Sequence, residues 1–437
     1  MPLIIANLYL SLVQLTSDAP DPADRGAGFL QANPYQVELC DLPGNFPEAI
    51  SRTSRLSWLM LQPMAQRDFY IDRLRSVMTA LVILHHTAIT YGGPGGWFWR
   101  EIEPSGAPSS LLFTLFCATN QAYFMGFFFL LAGFFTPGSL DRKGYRRFIA
   151  DRFLRLGLPL LAFILILGPA TAAIVTWAQG HGFWPTIVYL FRHRRVINGP
   201  LWFAEALLIF SLAYCGWRLA AGPSSSGKQR VPKPVPGSRW WLASALATAI
   251  AALAIRRFVP VGVNIFGLQL GYFAGYIFLF AVGIAAWRQD WLKQLSWKDV
   301  RPWVVAAILA WPCLPIGIVI AQSVNGRGNS NFSGGFSWTA ILYAFWEPFV
   351  AWGLIAAWLL VFRERMNRPS PFWNWLNRRA YAVYIIHPPI LVGIALLLHR
   401  WAAPALLKFG VVGALACAAC WLFSDPLVRL PGVREIV

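Results

Sequence analysis

Runs of roughly twenty apolar residues recur along this chain, and that recurrence constrains its fold more than any other feature. They fall near 72–92, 110–137, 157–178, 200–221, 240–256, 267–287, 302–321, 337–361, 380–399 and 404–424. A bilayer offers no water to backbone N–H and C=O groups, so a run of this length crosses it as a helix. The sequence therefore predicts an all-α integral membrane protein, a polytopic bundle of about ten transmembrane helices. The charge content agrees, because only 13% of the 437 residues are charged against about 25% in a soluble domain. The fifth run is the weakest, being short and ending at Arg256-Arg257.

A formal charge of +18 would suit a nucleic-acid partner, but the basic residues sit in short clusters between apolar runs. That is the membrane pattern, so no nucleic acid is expected and lipids are. With the N-terminus inside, inner segments hold about 26 Lys/Arg and outer loops about 8, which predicts both termini cytoplasmic. Arg192-His193-Arg194-Arg195 falls outside, against that rule. Residues 222–239, rich in Pro, Ser and Lys, form an inner loop dividing four spans from six. The repeat that many transporters carry is not visible. Cys417 and Cys420 form a CxxC with no nearby histidine or second pair, so helix packing is expected, without a metal or a disulfide framework.

Residues 1–65 read differently. Met1 to Leu15 is apolar but too short to span and lacks a signal peptide's basic start. The stretch 18–47 is rich in Asp, Pro, Gly and Asn and reads as loop or disorder. A disordered extension or an over-extended start is expected there, so that a chain beginning at Met64 would insert and work.

Within the first span, Asp72-Arg73-Leu74-Arg75 leads into an apolar run that ends in His85-His86. Ionisable groups at membrane depth are costly and face a cavity or a partner. At about 100° per residue, Arg75 and His86 lie within roughly 20° of each other, some 16 Å apart along the axis. Asp72 shares that face, whereas His85 is turned about 100° away.

These residues resemble the acyltransferase-3 family of membrane acyltransferases, whose first helix carries an Arg and a His eleven positions apart. Phe127-Phe128-Phe129-Leu130-Leu131-Ala132-Gly133-Phe134-Phe135 is similar to the family's Phe-Phe-x-x-Ser-Gly-Phe, with Ala132 in place of the serine. Arg152-Phe153-Leu154-Arg155 resembles its Arg-x-x-Arg, and Leu201-Trp202-Phe203 its Leu-Trp-Phe. Tyr381-Ala382-Val383-Tyr384-Ile385-Ile386-His387-Pro388 resembles its Tyr-x-x-Tyr-x-x-His-Pro. The set covers residues 66–437 in family order. It implies ten helices in a cell membrane, that of a bacterium, and an acyltransferase moving groups other than aminoacyl groups. The donor implied is acyl-CoA, carrying acetyl or succinyl, and the acceptor is a hydroxyl of a glycan or another envelope or secreted molecule.

On this reading His86 is the general base, because imidazole exchanges protons near neutral pH. Arg75 and Asp72 accompany it as catalytic candidates, although Asp72 at i,i+3 also suits a plain ion pair with Arg75. Arg152 and Arg155 fit either a guanidinium clamp on CoA phosphates or snorkelling surface anchors. Glu205, Trp202, Tyr384 and His387 are candidates for substrate binding. A lone carboxylate such as Glu205 needs a partner or cavity, and Pro388-Pro389 gives His387 a structural reading too. Trp97 and Trp99, after a glycine-rich turn, fit an interfacial belt or sugar stacking. A secondary transporter, a glycan flippase or a non-catalytic acyl-CoA sensor are the rival functions.

Overall fold

A computed structural model describes residues 68–222, 232–325 and 331–436. The extension expected over 1–65 lies outside the described residues. In chain order come α1 (Phe69–Thr90), α2 (Pro108–Arg152), a π-helical turn Phe153–Gly157 and α3 (Leu158–Ala162). A second π-helical turn, Phe163–Leu167, leads to α4 (Gly168–Ala178), α5 (Phe183–Arg192) and α6 (Trp202–Ala220). The remainder holds α7 (Ser238–Phe258), α8 (Phe273–Gln289), α9 (Trp297–Ala310) and α10 (Cys313–Asn325). The last long helices are α11 (Trp338–Arg365), α12 (Pro371–Leu397) and α13 (Ala405–Leu427). Among the described residues there is no strand, only two isolated bridges, Tyr91 to Ile102 and Ile265 to Leu268.

Eight helical stretches among the described residues have the length and apolarity to cross a membrane. The longest, Pro108–Ala178, is divided at Gly144, whose φ of 70° and ψ of 167° lie outside the helical region. Only glycine adopts that conformation without strain, and it separates two arms that are each long enough to span. Helix α1 has spanning length too, but its arginines and histidines lower its apolarity. Counting both, the spanning segments reach the ten expected. Helices α1, α2, α6, α7, α8, α9, α11 and α12 contribute to one core that includes Leu74, Met78, Phe127, Phe129, Leu201 and Val300, while α13 packs in a second cluster with Ile83 and Val383, and α5 buries no side chain.

Helix α1 packs against α2, α11, α12 and α13. Helices α2 and α8 cross closely at two glycines. A β-carbon on Gly133 would come within 2.1 Å of the Phe280 carbonyl oxygen, and one on Gly283 within 2.1 Å of the Leu130 oxygen. The glycine after Ala132 is thus required by contact between backbones.

Basic side chains gather at one end of the bundle and tie elements together there. Arg73 donates to the Arg368 carbonyl, and Arg379 pairs with Asp425 across α12 and α13. Arg363 donates to the Leu292, Lys293 and Leu295 carbonyls at 2.6, 3.1 and 2.6 Å. These bonds satisfy backbone oxygens where the intervening helical turns leave them open.

Candidate active site

Helices α1 and α12 bring together two histidines 301 positions apart in the chain. His86 Nδ1 lies 3.2 Å from His387 Nε2, and His387 Nδ1 lies 2.7 Å from the Tyr384 carbonyl oxygen. The second bond follows from the sequence. In a regular helix the Tyr384 carbonyl would accept from the N–H of residue 388, but Pro388 has none. That carbonyl is open, and the His387 ring takes it up.

A carbonyl can only accept, so the proton of neutral His387 sits on Nδ1 and its Nε2 is an acceptor. His86 must then donate from Nδ1, which leaves its own Nε2 carrying the lone pair. The two bonds set the tautomers of both rings. His387 is fully buried, with 0% exposure. It is not among the residues lining the cavity, and its ring meets His86 and the Tyr384 carbonyl instead.

Trp97 lies flat on His86, with ring centroids 3.9 Å apart and planes 12° apart, and is nearly parallel to His387 as well. This tryptophan is therefore part of the histidine cluster, in place of the interfacial belt. It is carried by the segment between α1 and α2, which is fastened at several points. Glu101 and Ile102 donate their N–H groups to the Thr90 carbonyl at 2.9 and 3.1 Å, and Ser110 Oγ donates to the Gly92 carbonyl at 2.8 Å. Glu101 forms a buried ion pair with Lys408 of α13, which also donates to the His399 carbonyl at 3.1 Å.

His86, His85 and Trp97 form part of the wall of a cavity of about 1440 Å³. Trp202, Tyr384, Gln121, Tyr272, Tyr276 and Asn198 line it too. The Tyr384 hydroxyl donates to the Pro200 carbonyl, joining α12 to the Leu201-Trp202-Phe203 segment. Asn198 Nδ2 donates to Glu205 Oε2 at 2.9 Å and to the Phe266 carbonyl at 3.3 Å. Glu205 is not among the lining residues and reaches the cavity only through Asn198. His85 packs its ring at 5.1 Å from Phe124 of α2 and also touches the cavity, which the helical wheel did not foresee.

The basic candidates lie at the other end of α1. Arg75 is 3.8 Å from Asp72 and sits 4.8 Å over the Phe135 ring. Some 16 Å of helix rise separates Arg75 from His86, so the structure does not bring Arg75 and Asp72 together with the histidine pair. Arg152 lies 4.7 Å over the Phe148 ring and immediately precedes the π-helical turn, a feature common at functional sites. Arg155 pairs with Asp151 at 3.0 Å and is exposed. The Tyr381 hydroxyl donates to the Arg155 carbonyl at 2.7 Å. Helix α12 thus touches the Arg-x-x-Arg segment through Tyr381 and the histidine pair through Tyr384 and His387, at i, i+3 and i+6.

The sequence did not reveal the cavity wall formed by Gln121, Tyr272, Tyr276 and Tyr343, nor the buried pair of Arg256 and Glu347 behind it. The one available signal was Arg256 at the end of an apolar run, since a buried arginine needs an acidic partner.

Fold and site together define an all-α polytopic membrane protein with a histidine pair whose His86 lines a large cavity. A model of the acyltransferase domain of the acyltransferase-3 family matches residues 68–425, and the chain belongs to that family of membrane acyltransferases. It is similar to glucans biosynthesis protein C from Escherichia coli strains SMS-3-5 and 536, at 25% identity over 157 residues. That match covers 35% of this chain and 39% of each relative, so it spans well under half of their length. No solved structure matches.

Proposed function

We propose that the protein is an acyl-CoA-dependent O-acyltransferase of the cell membrane, with His86 as general base and a glycan hydroxyl as acceptor. The observation that carries this is the 3.2 Å contact of His86 Nδ1 with His387 Nε2 at the wall of a large cavity, an arrangement in which Nε2 of His86 is the basic nitrogen. The lining loops all follow odd-numbered spans, so the cavity opens at the end of the bundle remote from Arg152 and Arg155. On the topology inferred from the basic clusters, that mouth is extracytoplasmic and both termini are cytoplasmic. The relatives' name, glucans biosynthesis protein C, supports a glycan as the acceptor.

The CoA nucleotide end docks on the cytoplasmic face at Arg152 and Arg155, whose guanidinium groups suit phosphates. Its pantetheine arm carries an acetyl or succinyl thioester past Arg75 toward His86. His86 Nε2 takes the acceptor hydroxyl proton, the oxygen attacks the thioester carbon, and the C–S bond breaks. The departing thiolate then recovers the proton from His86, so ester and free thiol leave a neutral imidazole behind. His387 holds the ring throughout, and Trp97 lies against the imidazolium while it exists, a favourable cation–π contact. The test is turnover of labelled acetyl- and succinyl-CoA by the purified protein with hydroxyl acceptors. Solute flux across liposomes without acyl transfer would replace this reading with a transporter.

A further inference from the structure

The cavity has a property the reaction does not demand. In a chain of net charge +18, no Asp, Glu, Lys or Arg occurs among the described residues that line it. The cations nearest the wall among the described residues are neutralised within the protein, and the Glu205 carboxylate accepts from Asn198 behind the lining. Arg256, 1% exposed, pairs with Glu347, donates to the Gly271 carbonyl at 2.9 Å, and lies 5.3 and 5.2 Å from the Tyr272 and Tyr343 rings. Those tyrosines stand on the lining with the ion pair behind them. Arg100 is occupied by Glu103 at 3.4 Å and by the Gly93 and Gly95 carbonyls. Lys408 is occupied by Glu101.

The wall instead offers flat rings and neutral hydrogen-bonding groups. Trp202 stacks on Tyr276 at 5.7 Å and 24°, and Tyr276 on Tyr272 at 6.4 Å and 30°, which makes a continuous aromatic strip. Gln121 donates to the Tyr276 hydroxyl at 2.8 Å, and Gln269, Gln322, Asn198 and Asn264 complete the polar lining. Rings with polar tips suit a ligand that is apolar on its faces and hydroxylated at its rim. The volume of about 1440 Å³ exceeds the roughly 300–1,000 Å³ of ordinary small-molecule pockets. More than one sugar ring fits.

Resting on the acyltransferase reading above, we infer that the acceptor is an uncharged oligosaccharide segment of several sugar units, laid on the Trp202–Tyr276–Tyr272 strip with one hydroxyl at His86. An acidic glycan would bring carboxylates or phosphates against a wall that holds no Lys or Arg among the described residues, and a buried charge without a partner is strongly disfavoured. The exposed run Arg192 to Arg195 precedes the lining residues Val196 to Pro200 and does not itself line the cavity.

The test uses the full chain in lipid nanodiscs with labelled acetyl- and succinyl-CoA. Acceptors are oligogalacturonates of graded length and the same oligomers with every carboxylate converted to its primary amide, which removes the charge at nearly the same size and adds no acceptor hydroxyl. The expected result is a kcat/KM at least about tenfold higher for the amidated oligomers, rising from monomer to longer chains. Trp202→Leu and Tyr276→Leu should raise the acceptor KM several-fold, up to about tenfold, with the acyl-CoA KM unchanged. Equal or better use of the charged oligomers overturns the inference, as does an acceptor KM that neither variant moves. Acylation of a non-carbohydrate hydroxyl alone rejects the acceptor class and leaves the acyltransferase standing. Failure to turn over either thioester with any acceptor rejects the acyltransferase reading itself.

Discussion

His85 and His86 are adjacent and chemically identical, and what separates them is what stands beside each ring. His86 has the His387 nitrogen and the flat face of Trp97. His85 has Phe124 and a buried Nδ1 with no hydrogen-bond partner. Replacing His86 by Ala should lower acyl transfer by about 10²–10⁴-fold while the protein still inserts, as loss of a general base does. His85→Ala should keep most activity. The comparison is made on labelled product at matched expression, and an active His86→Ala beside a dead His85→Ala would reverse the assignment. The sequence prefers His86 because the wheel of a regular helix places Arg75 under it, and both histidines line the cavity. It could not show that His387 is the partner, because the contact joins positions 301 apart. Helical periodicity carries no information across that distance. Trp97 was illegible for the same reason, being placed by a loop whose path depends on Lys408.

At the scale of elements, the Tyr-x-x-His-Pro pattern on α12 becomes a small device. Pro388 opens the Tyr384 carbonyl, and the His387 ring closes on it. Pro388→Ala restores an N–H that competes for that carbonyl. The helix should become no less stable, and proline removal from a helix interior generally favours it, yet acyl transfer should fall. A thermal melt beside a turnover assay reads both effects, and a variant with full activity would remove the tautomer lock from the mechanism. The crossing of α2 and α8 predicts the opposite pairing of effects. Gly133→Val puts a side chain into the Phe280 backbone and should destabilise the fold by about 1–3 kcal/mol or more, seen as a lower melting temperature in detergent. The spans themselves were readable because bilayer thickness dictates their length. The π-helical turns beside Arg155 and the short helix α5 were not, since packing selects them and their hydropathy resembles that of any α-helix.

For the whole molecule, the division of labour between the two ends of the bundle is open to kinetic test. Changing Arg152 and Arg155 together to Gln should raise the KM for acyl-CoA at least about tenfold, each lost charge-assisted bond contributing about 1.5–3 kcal/mol. The acceptor KM should stay where it was. A donor KM that does not move, with only insertion affected, would return both arginines to the role of topology anchors.

On the proposed mechanism, the histidine pair and a cavity wall without Asp, Glu, Lys or Arg among the described residues have an electrical consequence. With an acetyl donor the phosphates remain at one face and nothing ionised crosses to the other, whereas a succinyl group would carry its carboxylate across. The acetyl group leaves the thioester outward as the formal equivalent of a cation, and the hydroxyl proton travels inward to the sulfur. The two movements cancel, so turnover displaces no net charge through the membrane field. An uncompensated elementary charge would couple to a potential by about 2.3 kcal/mol per 100 mV, enough to change a rate by well over tenfold. With acetyl-CoA, proteoliposomes clamped at opposite potentials should acylate an external acceptor at the same rate, and with succinyl-CoA the rate should follow the potential, because the succinyl carboxylate crosses with the acyl group.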